Sequence, residues 1–265
     1  MAVALVTSIA AIGALVFTSR SVTQAQEGLG LSQEGQITDR YNAAVENLGD
    51  EAMDVRLGGI YSLQRIMQDS RRDHPTVVNV LSTYVRTHSA KIHMPAEGKA
   101  FLPGEDELPA DIQAAITVLA SRNVKYDGKM KVNLQYSHLF LADLEEAELA
   151  GADLEWVDLS VARLDGANLR GANLESASLS DADLPGANLR GASLRGASLE
   201  DVDLKGADLR DADLRDADLG TVRGVTVAQI LSTRLSSQTK LPPEIAKNPK
   251  VIEAIPKSTD VFADG

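Results

Sequence analysis

The sequence contains no cysteine, and its 265 residues include only four Phe, five Tyr and one Trp. Without cysteine there is neither a disulfide nor a thiolate metal ligand, a usage that fits a reducing compartment. So few rings exclude a conventional aromatic-rich core, and aliphatic side chains must do most of the packing. Basic charge is also short: 26 Lys plus Arg face 38 Asp plus Glu, a formal net charge of −12. Such a surface repels free nucleic acid and attracts basic partners. The four histidines, His74, His88, His93 and His138, are scattered, with no HExxH and no paired spacing. Each reads as a surface or capping residue. No glycine-rich loop leads into a helix in a phosphate-cradling pattern, and no GGxGxD nonapeptide signals calcium. The expectation is a non-enzymatic chain with no catalytic residue, cofactor or metal.

What the chain does contain is a leucine at every fifth position from Leu134 to Leu219, 18 in all. Two residues before most of them stands alanine, as in Ala142, Ala147, Ala152, Ala167 and Ala172. A period of five spirals round a helix and flips between the faces of a strand, so the backbone must turn once in every unit. Gly151, Gly166, Gly171, Gly186, Gly191, Gly196 and Gly206 mark corners, where glycine tolerates positive φ. The reading is a solenoid with Leu and Ala inside and the other three residues of each unit outside.

The units Gly166-Ala167-Asn168-Leu169-Arg170, Gly171-Ala172-Asn173-Leu174-Glu175 and Asp211-Ala212-Asp213-Leu214-Arg215 resemble the A(D/N)LXX consensus of pentapeptide-repeat proteins. The resemblance implies a mainly β protein, a right-handed quadrilateral β-helix of four units per coil. Here that gives about four and a half coils, roughly 22 Å tall at the spacing of stacked strands. Some members of the family mimic duplex DNA and shield type II topoisomerases. That is the alternative reading, favoured by the charge and opposed by a short column and by outward arginines.

Stacking of every fourth unit sorts the outward residues. Arg170, Arg190 and Arg210 form a ladder on one face, and Asp158, Asp181, Glu200, Asp201 and Asp218 an acidic strip on another. From Val132 to Val222 the count is 19 Asp plus Glu against 7 Lys plus Arg, a difference of −12, so the repeat holds all the net charge. Only at its beginning do large apolar residues point outward: Tyr136, Phe140, Leu141, Trp156 and Val161. Because exposed patches meet partners and an open solenoid end needs a cap, Tyr136, Phe140 and Trp156 are the expected docking joint for a preceding helical domain.

The regions before and after the repeat read as follows. Ala2 to Thr18 carries no charge over seventeen residues, about 25 Å as a helix, the lower limit for a bilayer span. With Arg20 beyond it, residues 1–20 are expected to be a single-pass anchor in the cell membrane with a cytoplasmic body; a cleaved signal peptide and a buried helix are the other readings of the stretch. Residues 21–50 form an amphipathic stretch, helical from Gln36 to Leu48 and closed by Gly49, that packs on the next domain or pairs in a homodimeric coiled coil. Residues 51–128 read as a small helical domain similar to one armadillo or HEAT unit: Asp54 to Ile66 with Gly58 and Gly59 allowing close approach, a helix opened by Pro75, and a third from Ala110 to Ala120. The Lys91–Pro109 loop between the last two should be exposed and mobile. Residues 129–223 are the β-helix and 224–265 a capping helix and tail. The phrases Gly35-Gln36-Ile37-Thr38-Asp39-Arg40-Tyr41, Val55-Arg56-Leu57-Gly58-Gly59-Ile60-Tyr61-Ser62-Leu63 and Arg72-Asp73-His74-Pro75-Thr76-Val77 resemble bacterial membrane-anchored pentapeptide-repeat proteins. The expected function is a membrane-tethered scaffold for a protein partner, held to the lipid bilayer by residues 2–18 and making no direct contact with nucleic acid.

Overall fold

The structure is a computed structural model that describes residues 35–90 and 107–256. The expected anchor at residues 2–18, the stretch 21–34, the loop residues 91–106 with His93, and the tail from residue 258 lie outside the described residues. Among the described residues no helix is long and apolar enough to cross a membrane.

Among the described residues four α-helices precede the repeat: α1 at residues 35–48, ending at Gly49, α2 at Met53–Asp69, α3 at His74–Ser89 and α4 at Ala110–Ala120. Ile60, Leu63 and Ile66 of α2, Val77, Leu81 and Val85 of α3, and Ile112, Ile116 and Leu119 of α4 recur at three- to four-residue steps and bury into one core. Helix α4 buries more than the one face its spacing suggests, Ala114 and Val118 included. It is covered by α2 and α3 on one side and by the repeat on the other. Pro75 sits in the first turn of α3, where its missing N–H removes no bond. The two adjacent glycines of α2 differ. A Cβ on Gly59 would lie 2.8 Å from the Ala44 carbonyl oxygen of α1, whereas one on Gly58 would meet nothing within 4 Å. Only Gly59 permits the close crossing, and Arg40 of α1 pairs with Asp69 of α2 beside it at 3.2 Å.

From Val132 the chain winds into the leucine-lined column. Every fifth-position Leu from Leu134 to Leu219 is buried, and so is every small residue two places before it. The residue before each Leu forms a parallel bridge with its counterpart in the next coil, as in Asn133 with Asp153 and Asp153 with Asn173. Each unit then turns: the N–H of Ala142 donates to the Leu139 carbonyl at 3.0 Å, and Leu141 between them has φ 61°. A positive φ at the second residue after Leu recurs at 17 successive corners, ten of them not glycine. The corners are thus type II turns throughout, and glycine is only the cheapest way to fill them. The architecture is β in its ladder but contains no extended strand within the repeat, because each unit contributes a single bridged residue between turns. The expected mainly β character is thus carried by isolated bridges alone.

The consensus Asp or Asn before Leu also has a backbone role. Its side-chain oxygen accepts the N–H two residues on, as from Asn168 to Arg170, Asn188 to Arg190 and Asp208 to Arg210. That N–H points away from both neighbouring coils and would otherwise be unpaired.

The ladder outlasts the five-residue period. Arg234 bridges Asp213 and Lys240 bridges Asp218, so an irregular further coil runs well past the expected boundary at residue 223. Helix α5, Val227–Ile230, opened by a Thr226–Gln229 capping box, is inserted in that coil and buries Ile230. Gly224 makes the turn into it; a Cβ there would meet the Lys205 backbone nitrogen at 2.8 Å. Two further short helices follow, α6 at Pro243–Ala246 and α7 at Pro249–Ala254.

Candidate interaction surface

A solenoid end exposes N–H groups that have no preceding coil to accept them. Here the helical region supplies the acceptors. The N–H of His138 donates to Ser89 Oγ at 3.3 Å, that of Asp143 to Gln113 Oε1 at 3.0 Å, and that of Glu148 to the Ala120 carbonyl at 2.9 Å. Gln113 Nε2 returns a bond to the Asp143 carbonyl, and Arg122 Nη1 donates to those of Leu119 and Glu148. The joint therefore caps the column along its axis. Tyr136 and Trp156, expected to form it, are 62% and 55% exposed and take no part; Phe140 is half-buried. The reason is geometric: the side chains after each Leu leave the coil sideways, while the open end faces along the axis.

Two buried charged clusters brace the helices behind this joint. Arg56 Nε and the Tyr84 hydroxyl both donate to Asp111 Oδ2, at 2.7 and 2.6 Å. Burial alone would raise the Asp111 carboxyl, but the bonds from Tyr84 and Arg56 outweigh it and hold the group below the usual carboxylate range. Burial and the bond to Asp111 push the Tyr84 phenol up. In the second cluster Arg122 grips Asp127 through Nε and Nη2, and Asp127 Oδ1 lies 3.0 Å from His74 Nε2. His74 is buried rather than exposed, and His88 stacks on Tyr84 with ring centroids 4.0 Å apart. Beside them opens a cavity of about 280 Å³ lined by Gln64, Met67, Val118 and Tyr126. Of its polar lining, His74 and Arg122 are engaged with Asp127.

The outward candidates sort by engagement. Arg190 lies 3.4 Å from Asp211, and Arg210 pairs with Asp208, whose carboxyl is pulled down to about 2 chiefly by that bond. The arginine ladder is thus partly neutralised by its own neighbours, with Arg170 exposed at its upper end. Asp158 is half-buried and accepts the Ser160 N–H, a backbone task like that of the other ladder acids. Asp181 and Asp201 differ: both stand exposed at positive-φ corners, directly below Leu141 and Val161. Asp218 is held by Lys240 at 2.6 Å. Among the described residues no group of three or more His, Cys, Asp or Glu is arranged to hold a metal.

Comparison with known proteins bears on the repeat alone. Residues 130–164, 157–191 and 182–220 match the family of pentapeptide repeats (8 copies). A crystal structure of a pentapeptide repeat protein, Rfr23, from the cyanobacterium Cyanothece 51142 is 34% identical over 38% of this chain and 64% of its own, with a TM-score of 0.25. One from Nostoc Pcc 7120 is 30% identical over 47% and 84%, with a TM-score of 0.24. QnrB1, a plasmid-mediated fluoroquinolone resistance protein, is 20% identical over 44% and 60%, with a TM-score of 0.33. The chain spans just under two thirds of the length of the first of these structures. No curated protein matches it. Pentapeptide repeats imply a right-handed β-helix, and residues 130–220 of this chain are a pentapeptide-repeat domain.

Proposed function

We propose that the chain is a non-enzymatic interaction module whose β-helix presents fixed rows of side chains to a protein partner, with residues 2–18 tethering it to a membrane. One observation carries the reading. Every inward position of the repeat is filled by a buried aliphatic or small side chain, so all chemical variety lies on the outside, in rows held about 4.8 Å apart. A surface of that kind suits recognition, since its side chains are ordered before a partner arrives. The test is photo-cross-linking in cells from outward positions such as Arg170 and Asp181, with fractionation of membranes. A defined partner lost on charge reversal at one face, with an unchanged melting temperature, supports the module. No partner from any face refutes it, and a chain wholly in the soluble fraction with residues 1–20 intact refutes the tether.

The topoisomerase reading has the repeat's net charge of −12 in its favour. Against it stands the Arg170, Arg190 and Arg210 row, which interrupts the anionic surface. Supercoiling by gyrase is expected to proceed unchanged at micromolar full-length chain.

A further inference from the structure

The four faces of the column are unequal. Three of them alternate acids with arginines or lysines, but the face built from residues 137–141, 157–161, 177–181, 197–201 and 217–221 contains five acids and no Lys or Arg. Two of its acids are engaged, Asp158 with the Ser160 N–H and Asp218 with Lys240. Asp181, Glu200 and Asp201 are exposed; Arg223 Nη2 donates to the Asp201 carbonyl and Lys240 lies within electrostatic reach of Glu200, but among the described residues no salt bridge engages the three carboxylates.

The same face is apolar at its other end. Its two bounding corners read Tyr136, Trp156, Ser176, Gly196 on one side and Leu141, Val161, Asp181, Asp201 on the other. Tyr136, Trp156, Leu141 and Val161 are 62%, 55%, 40% and 37% exposed, with φ between 56° and 61°. At this conformation a non-glycine residue is strained by about 1 kcal/mol, and a β-branched one such as Val161 is an outlier. Glycine fills the equivalent corner at seven other units. Four bulky residues here thus bear both strain and water contact, with only partial burial inside the described chain to offset either.

We propose that this face docks an amphipathic, cationic segment of a partner protein. Apolar side chains of the segment would cover Tyr136, Trp156, Leu141 and Val161, and lysines or arginines would reach Asp181, Glu200 and Asp201, one or two coils further, about 5–10 Å away. A helix meets that spacing with apolar residues at i and i+4 and basic ones near i+7 and i+11. Charge complementarity selects the partner: nucleic acid and anionic lipid surfaces are repelled by the unpaired acids. The inference rests on the reading of the repeat as an interaction module and names the face it uses.

Trp156 is the only tryptophan of the chain, so its fluorescence reports on the patch itself. The experiment is panning of a random 16-residue peptide library against the full chain, followed by titration of recovered tryptophan-free peptides. Expected are sequences with apolar residues followed by Lys or Arg, which shift Trp156 emission to the blue. Their binding should weaken about tenfold or more in Asp181→Lys with Asp201→Lys, and equally in Leu141→Gly with Val161→Gly, and fall as salt rises. The glycine pair removes strain, so it keeps the fold, and melting temperatures no lower than that of the parent chain verify this. Peptides without basic residues, or binding indifferent to both double variants, would overturn the proposal. Peptides lost instead on Arg170→Glu with Arg190→Glu would place recognition on the arginine face, leaving the module reading intact. Enrichment seen only when residues 91–106 are replaced by a glycine–serine linker would assign the patch to that segment, and concentration-dependent dimers abolished by the Leu141 and Val161 variants would assign it to a second copy. No enrichment against any form would count against the face and the module together.

Discussion

The helical region and the repeat achieve order by opposite means. The helices depend on a few non-repeated polar contacts: Arg56 and Tyr84 on Asp111, which join α2, α3 and α4, and His74 on Asp127, which joins α3 to the segment after α4, where Arg122 also holds Asp127. The repeat depends on one bond pattern renewed in every unit, with Leu and Ala packed identically from coil to coil. Redundancy makes the column tolerant outside and intolerant inside, whereas in the helices a single polar substitution removes an interaction that nothing duplicates.

Substitutions can sharpen this contrast. The largest effect is expected for Leu179→Lys. Leu179 is fully buried, and a charge there would touch two neighbouring coils; loss of roughly 1.5–3 kcal/mol of burial plus the desolvation of an ammonium should abolish cooperative thermal unfolding. Next comes Asp111→Asn, which leaves Arg56 facing a neutral group at a buried site and should lower stability by about 3 kcal/mol in urea at pH 7. The pH sign follows from the depressed carboxyl. A folded-state pKa below the unfolded value, about 3.9, gives stability that is present above that value and lost as pH falls through the folded one. The gap between wild type and Asp111→Asn should therefore narrow below about pH 4; a gap independent of pH would deny Asp111 its role.

The glycine pair of α2 gives a smaller effect of divided sign. Gly59→Ala should destabilise by about 1–3 kcal/mol through the Ala44 carbonyl, while Gly58→Ala, with open space, should stabilise by up to about 1 kcal/mol from helix propensity. Equal responses in thermal melts would refute the close crossing of α1 and α2. At the corners Val161→Gly should raise stability by about 1 kcal/mol or less by relieving the left-handed backbone. The smallest change belongs to Arg190→Gln, an exposed residue whose contact with Asp211 is solvated; a melting shift beyond error would mean that the outer ladder carries the fold.

Much of the repeat was legible because its period of five is a statement about packing: Leu and Ala recur where the interior recurs. The helix from Ala110 to Ala120 was legible for a similar reason, its apolar residues marking one face. The joint was not. Ser89, Gln113 and Arg122 are ordinary polar residues in the sequence, and their partners are the N–H and carbonyl groups of a coil that exists only once the column has wound. Tyr136 and Trp156 stand out in the sequence, yet they lie outside the joint, since the pattern shows their side of the coil and not the direction in which the helices approach. The sequence places His74 on the surface or at a cap, because its buried partner, Asp127, lies far along the chain.

By itself the sequence determined the solenoid, its interior, its acidic balance and the order of its outward rows, all of which follow from a local period. Tertiary structure decided which acids are committed to backbone or to arginine, which glycine lets helices touch, and that the helical region covers the end of the column while, among the described residues, Tyr136, Trp156, Leu141 and Val161 stay exposed. Those outcomes depend on distances between residues remote in the chain, which no repeat period encodes.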